Sequence, residues 1–313
     1  MAAQFASIIQ SADESTGEST LEIERIRSEL VHHTIGHRIF HYHSVASTMP
    51  IAHELAKDSA IRSGTLIIAE EQSAGRGRLE RRWQAPPNSS LLMSLLLRAD
   101  LLPSQPATLM MIAGIAAIDA ITQNMPTLAG KCGLKWPNDI VLGDRVLGDR
   151  ETPFKKVGGV LIESQFSSGR LAYAVVGMGL NVQQRAEQLP QIHSGAVQAT
   201  SLAAFTDTEW NRSTLLIAIA RSWEQLLQQS RTEESAVLQR WQEHLWTLGQ
   251  QVVVTQAASV TQTASATESA GTIVCEGLAL GVEIDGALIV RDAEGVDHRV
   301  YAGDVSLRSG ALE

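Results

Sequence analysis

Apolar positions along this chain follow two periods. Short runs bounded by turn residues, RIFHYHSV (38–45), TLIIAE (65–70), SLLMSLLLR (90–98), DIVLG (139–143), KVGGVLIES (156–164) and LAYAVVGMG (171–179), concentrate aliphatic and β-branched residues and predict strands. Between and after them, MPIAHELAKDSAI (49–61), ATLMMIAGIAAIDAITQN (107–124) and STLLIAIARSWEQLLQQS (213–230) carry apolar residues on a 3.6-residue period and predict helices. One further helix is expected in TLEIERIRSEL (20–30), with Thr20 as its cap, behind a polar N-terminal stretch. After WQEHLWTLGQ (241–250) the helical period vanishes. QVVVTQ, TIVCEGLAL, ALIVRD and HRVYAGDVSL read as short strands separated by Gly and Asp turns, a small all-β module. Within it, AASVTQTASATESAG (257–271) has almost no charge and is expected to be a long flexible hairpin loop. Strands alternating with helices predict an α+β chain, a central sheet backed by helices.

At 313 residues and 44% hydrophobic content the chain can bury a substantial core. Its net charge of -9 gives no broad positive field of the kind that coats nucleic acid, so any phosphate binding must be local. Two cysteines, Cys132 and Cys275, are too few for a disulfide framework or a thiolate metal site and are expected to be buried in a reducing compartment. The longest apolar runs fall short of the ~20 residues that span a bilayer. The acidic, Ser-rich N-terminus has no basic n-region, and a cytoplasmic protein without membrane attachment is expected.

The acidic balance makes EEQSAGRGRLERRWQAP (70–86) conspicuous, because Arg76, Arg78, Arg81 and Arg82 cluster beside Gly75 and Gly77 directly after an apolar strand. Ligand crevices commonly lie where strands end. Glycine lets the backbone approach closely, and arginine presents a planar fork matched to phosphate or carboxylate oxygens. Position 80 is Glu, so the loop is not a dinucleotide fingerprint, and no Walker loop is present. Taken alone it also reads as a solvated basic turn. KWPNDIVL (135–142) offers Lys135, Asn138 and Asp139 at one strand mouth, a mixture suited to an anionic substrate or a Mg²⁺-bound phosphate, although Pro-Asn-Asp also makes an ordinary turn. KVGGVLIES begins with Lys156 and has Gly158 and Gly159; VVGMGLNV (175–182) has Gly177 and Gly179, then Asn181. Paired glycines in two strands suggest one narrow slot, or packing glycines at each.

In this order, and together with Ser47-Thr48 in SVASTM, ATSL (199–202) and AGDVSLR (302–308), these clusters resemble the biotin protein ligases over residues 36–313. The resemblance implies a catalytic domain at 36–245 of the class II aminoacyl-tRNA synthetase and biotin protein ligase type, with a mixed β-sheet backed by helices. It implies an SH3-like β-barrel at 246–313 and leaves 1–35 as an extension with one helix. The implied activity is ATP-dependent ligation of biotin, through biotinyl-5′-AMP, to a lysine of a biotin carboxyl carrier protein, with Mg²⁺ accompanying ATP. Carried over by position, Ser47, Thr48 and Gln72 meet the biotin ureido ring. Gly75, Arg76 and Arg78 lie on the loop that orders over biotin and its adenylate. Arg81 and Trp83 surround the phosphates and adenine, Lys135, Asn138 and Asn181 belong to the adenylate side, and Arg308 reaches back to the nucleotide. Lys156 meets the biotin carboxylate above a floor shaped by Gly159, Gly177 and Gly179, and Arg78 and Lys156 carry the catalysis.

Two positions depart from the family pattern: Met49 stands for the usual Asn and Glu80 for the usual Gly. No metal ligand is assigned, with Asp139 the candidate carboxylate near Mg²⁺. A lipoate or octanoate ligase of the same fold is the nearest rival, and the RGR loop with KWPND favours biotin. A biotin-responsive repressor would carry a winged helix-turn-helix ahead of the match, where 35 residues stand, so DNA binding is not expected. An Arg/Gly RNA-binding module is disfavoured by the acidic chain and by Trp83 being the one aromatic in the loop. The expected assembly is a monomer or weak homodimer.

Overall fold

The computed structural model describes residues 20–79, 81–145, 154–190, 197–256 and 272–307. Glu80, Arg308 and the expected hairpin loop at 257–271 lie outside the described residues. The main sheet is built from β1 (Ile39–Val45), β2 (Thr65–Gln72), β5 (Ser90–Arg98), β6 (Cys132–Lys135), β7 (Asp139–Gly143), β8 (Phe154–Ser167) and β9 (Arg170–Asn181). A separate two-stranded ribbon, β3 (Gly75–Arg76) with β4 (Arg82–Trp83), stands between β2 and β5 in sequence. The sheet order is β1-β2-β5-β9-β8-β7-β6; β1 and β2 run parallel and every other pair is antiparallel.

Side-chain alternation along the strands divides the apolar residues between two faces. Leu66 and Ile68 of β2 join the core formed with α1 (Ile23–Leu30), α3 (Thr108–Asn124), α5 (Arg212–Ser230) and α6 (Glu234–His244). Ile67 and Ala69 face the other way, where Met49, Ala52 and Leu55 of α2 (Thr48–Leu55) pack with Phe40, Tyr42, Leu96 and Val175. α3 is apolar on nearly every side because it lies between the sheet, α5 and α6.

The expected strands are present and longer at β8 and β9, but two helical expectations need correction. The helix expected at 49–61 ends at Leu55. Beyond it the Arg98 guanidinium, reaching from β5, donates to the carbonyls of Ala56, Asp58 and Ile61, so a tertiary donor takes acceptors that a longer helix would need. Thr20 is not a cap: α1 starts after Glu22, and the Thr20 hydroxyl accepts from Arg212 instead. α6 and the short α4 (Leu202–Thr206) were not foreseen. In α6 only Val237 and Trp241 are buried, too thin an apolar stripe to stand out in the pattern.

The C-terminal strands β10 (Gln251–Gln256), β11 (Thr272–Val282), β12 (Leu288–Arg291), β13 (Asp297–Val300) and β14 (Asp304–Leu307) form an antiparallel sheet in the order β13-β12-β11-β10-β14, the SH3-like module. HRVYAGDVSL divides into two strands at 301–303, where Gly303 takes a positive φ of 152° with its α-carbon facing the Thr255 carbonyl. Trp136 joins the two sheets. Its backbone N–H donates to Thr247 Oγ1 at 2.9 Å and its indole N–H to the Gly286 carbonyl at 3.1 Å, while Trp246 N–H donates to the Leu134 carbonyl at 2.8 Å. No helix among the described residues is long and apolar enough to cross a membrane.

Beneath β2 a buried ion pair ties α5 to the sheet: Arg212 Nη2 lies 2.6 Å from Glu70 Oε2, with both side chains essentially inaccessible. Arg212 also donates to the Ser90 carbonyl at 2.8 Å, and His41 Nε2 stands 3.3 Å from Glu70. Removing the guanidinium leaves a fully buried carboxylate without its arginine. Arg212→Met is therefore expected to lower the unfolding free energy by about 3–5 kcal/mol, read from the urea midpoint against wild type.

Candidate active site

The arginine-rich loop is a folded hairpin. Gly75 pairs with Trp83 and Arg76 with Arg82, Gly77 N–H donates to the Arg81 carbonyl at 2.7 Å, and Arg81 N–H to the Arg78 carbonyl at 3.1 Å. Ser73 and Ala74 N–H bond to the Val45 and Ala46 carbonyls, which fixes the hairpin's base beside the segment carrying Ser47 and Thr48. Its arginines diverge. Arg78 is drawn inward and donates to Asn138 Oδ1 at 3.2 Å; Arg81 forms a two-pronged ion pair with Asp304; Arg76 reaches Glu163; Arg82 remains exposed against the Ser73 carbonyl.

The hairpin and α2 rest on the glycine face of β9. A Cβ on Gly179 would lie 2.7 Å from the Trp83 ring, and one on Gly177 would lie 2.8 Å from Met49 Sδ. Only glycine lets an indole and a thioether sit this close to the sheet backbone. Trp83 Nε1 is buried with no hydrogen-bond partner among the described residues, an uncommitted donor inside the site. At the end nearest α2, Gln72 Oε1 accepts from Thr48 N–H at 2.7 Å and Thr48 Oγ1 lies 2.8 Å from Ser94 Oγ. Ser47 occupies the N-cap position of α2 but makes no cap bond with its hydroxyl.

The charged end is assembled by register. Lys135 pairs with Asp139 across the β6–β7 turn, and Asp139 pairs with Gly159 across β7–β8. A bulge between Ile140 and Val141 shifts the register and swings Lys156 back over Asp139, giving an ion pair of 2.6 Å. The Lys156 backbone is braced from outside by Gln198 and Thr200, which flank Ala199 at the start of the ATSL segment. Asn138 faces two ways, accepting from Arg78 and donating to the Val160 carbonyl at 2.8 Å. Burial pulls the Lys135 pKa below that of an ordinary lysine, opposed by Asp139 and reinforced by Lys156. Burial likewise lowers the Arg78 pKa, opposed by Asp304 and Asp139. The result is a tight group of cations that two carboxylates hold together.

Of the candidate residues, Gln72, Gly75, Arg78, Trp83, Lys135, Asn138, Lys156, Gly159, Gly177 and Gly179 fall in this one region with Ser47 and Thr48 at its edge. Arg76 turns outward. Asn181 is buried and engaged with Ser90, Gln184 and the Thr200 carbonyl. Arg308 lies outside the described residues. Sequence reading gave no role to Ser94, Glu163 or Asp304. Ser94 was detectable as a polar residue in an otherwise apolar strand; Glu163 and Asp304 stood inside quoted motifs without a reason to face the hairpin.

A mixed sheet carrying this glycine-floored, cationic site beside an SH3-like module defines a two-part ligase architecture, and comparison with known proteins agrees. The biotin/lipoate A/B protein ligase family matches residues 42–181, and the biotin protein ligase C-terminal domain matches residues 265–308. The bifunctional ligase/repressor BirA of Bacillus subtilis is 28% identical over 289 residues, 92% of this chain and 79% of BirA. A biotin–[acetyl-CoA-carboxylase] ligase of Mycobacterium tuberculosis is 28% identical over 200 residues, 64% of this chain and 67% of that protein. The biotin protein ligase of Aquifex aeolicus solved with biotin and ATP shares the fold, at a TM-score of 0.63 and 24% identity over 87% of this chain and 99% of that one. Both family models and these relatives support a biotin protein ligase.

The two glycine contacts differ in compliance, since an indole held over the sheet cannot yield as a thioether can. Gly179→Ala is expected to cost about 1–3 kcal/mol of stability through overpacking, and Gly177→Ala less, as Met49 changes rotamer. Equilibrium denaturation of both variants checks the order.

Proposed function

We infer that this chain joins biotin to a lysine of a biotin carboxyl carrier protein in two ATP-dependent steps. The observation that carries the reading is the charged end of the site: Lys156, Lys135 and Arg78 converge on Asp139 and Asn138 at the mouth of a slot floored by β9 glycines. A carboxylate and a triphosphate repel each other, so a site that brings them together must be electropositive even in an acidic chain. In the first step a biotin carboxylate oxygen attacks the α-phosphorus and pyrophosphate leaves. In the second the acceptor lysine amine attacks the acyl carbon and AMP leaves. Neither step needs an enzyme nucleophile, because orientation and charge stabilisation suffice.

Each residue then has a task set by its place. Thr48 and Gln72, with Ser47, meet the polar ring of biotin at the α2 end. Lys156 leaves Asp139 to hold the carboxylate, exchanging one anion for another. Arg78 faces the developing charge at the acyl phosphate, and Trp83, with its uncommitted indole N–H, borders the adenine. Arg81, held by Asp304, keeps the hairpin against the C-terminal module. Mg²⁺ neutralises phosphate charge when it accompanies ATP. Among the described residues no group of three carboxylate, histidine or cysteine donors converges, which fits an ion carried on phosphate oxygens and water, with Asp139 the carboxylate beside it.

The hairpin's position gives its fold a purpose, since an acyl-adenylate hydrolyses where water reaches it. Arg78→Ala is expected to release biotinyl-AMP faster and to slow ligation on the order of 100-fold, measured by intermediate dissociation and by single-turnover transfer. The decisive assay incubates the protein with ATP, labelled biotin and a carrier domain, with and without its acceptor lysine, against lipoate. Label on the intact carrier alone is the expected result; preferential use of lipoate would give the site to the rival acyl group.

A further inference from the structure

The carboxylate that receives Arg76 has no task in the chemistry above, and its surroundings suggest one. Glu163 lies on β8, with Oε1 at 3.1 Å and Oε2 at 3.3 Å from Arg76 Nη2. The same Oε2 is 2.6 Å from His53 Nε2, and His53 Nδ1 is 3.1 Å from the Tyr173 hydroxyl, the two rings standing 5.6 Å apart. A neutral imidazole satisfies the whole chain: Tyr173 donates to Nδ1, Nε2–H donates to Glu163, and Arg76 donates to both carboxylate oxygens.

Each of these four residues belongs to a different element. Tyr173 is on β9, Glu163 on β8, Arg76 on β3 of the hairpin, and His53 on α2, the helix that opens with the slot residues Ser47 and Thr48. One carboxylate therefore links the hairpin to the helix at the far end of the slot. An isolated surface ion pair shifts an equilibrium by no more than about fivefold. Glu163 is two-thirds covered and its oxygens accept from two directions, so both contacts are lost or kept together.

We propose that Glu163 is a positioning residue for the ligation: by holding Arg76 and His53 at one point it keeps the hairpin closed against the slot and prolongs retention of the adenylate. The proposal rests on the ligase reading, since it assigns an effect on that intermediate. The hairpin's own accessibility is a second readout that does not.

Glu163→Gln preserves shape and removes the charge that Arg76 pairs with. In the ligand-free protein, trypsin cleavage after Arg76, Arg78, Arg81 and Arg82, mapped by mass, is expected to quicken about five- to tenfold at an unchanged unfolding midpoint. Biotinyl-AMP dissociation should quicken by a similar factor. Glu163→Asp should restore part of both, and adding Arg76→Gln to Glu163→Gln, which removes the cleavage site at 76 itself, should change neither the cleavage after Arg78, Arg81 and Arg82 nor the dissociation further. Equal cleavage and equal intermediate lifetimes in wild type and Glu163→Gln overturn the proposal, as does faster cleavage matched by a fall in the unfolding midpoint, which marks a merely structural residue. Wild-type protein that forms no adenylate sinks the ligase reading, while the proteolysis comparison still decides whether Glu163 latches the hairpin.

Discussion

Positive charge crowded into a partly dehydrated space is the condition on which this structure turns. A chain with a net charge of -9 gathers Arg78, Arg81, Lys135 and Lys156 within one site. Desolvation opposes charge on Lys135 and on Arg78, and each cation raises the cost of its neighbours. Asp139 and Asp304 make the arrangement tenable. The first is delivered by the β6–β7 turn of the main sheet and the second by the last strand of the C-terminal sheet, so the electrostatic balance depends on both sheets being in place.

That requirement gives the junction between the sheets its importance. Trp136 lies in sequence between the cation Lys135 and Asn138, the partner of Arg78, yet its own side chain is fully buried and bonded to the C-terminal module. The residue that anchors the module thus immediately precedes the turn that places Asn138 and Asp139. A displacement of the C-terminal sheet would move the support of the charged end and the Arg81 partner together. Elsewhere in the site, Gly177 and Gly179 let Met49 and Trp83 lie on bare backbone. Met49, where the family pattern has Asn, contributes packing at that point and joins the apolar cluster beneath α2.

Much of the architecture was legible in one dimension because strands and long buried helices impose periods on their residues. β5 and α3 were read nearly to the residue: their apolar runs are continuous and end in turn-forming sequence. α6 was not, because its buried stripe is two residues wide, and α2 was read too long, because Arg98 lies 43 positions from Leu55 in the chain and meets its end only after folding. Local pattern carries no information about a donor supplied from a distant strand.

The same division governs the site. The sequence by itself determined the inventory: glycine pairs in two strands, an Arg/Gly loop after a strand, and a Lys-Trp-Pro-Asn-Asp turn, which together mark a place where anions are held close to backbone. Tertiary structure alone decided the partnerships. It drew Arg78 inward and turned Arg76 outward, although residues two apart on a strand share a face, because β3 ends at Arg76 and Arg78 lies in the turn beyond it. It paired Lys156 with Asp139 through a bulge that no residue type announces. It also brought Asp304 to Arg81 and Glu163 to His53, contacts fixed by how sheets, helix and hairpin pack rather than by nearness along the chain.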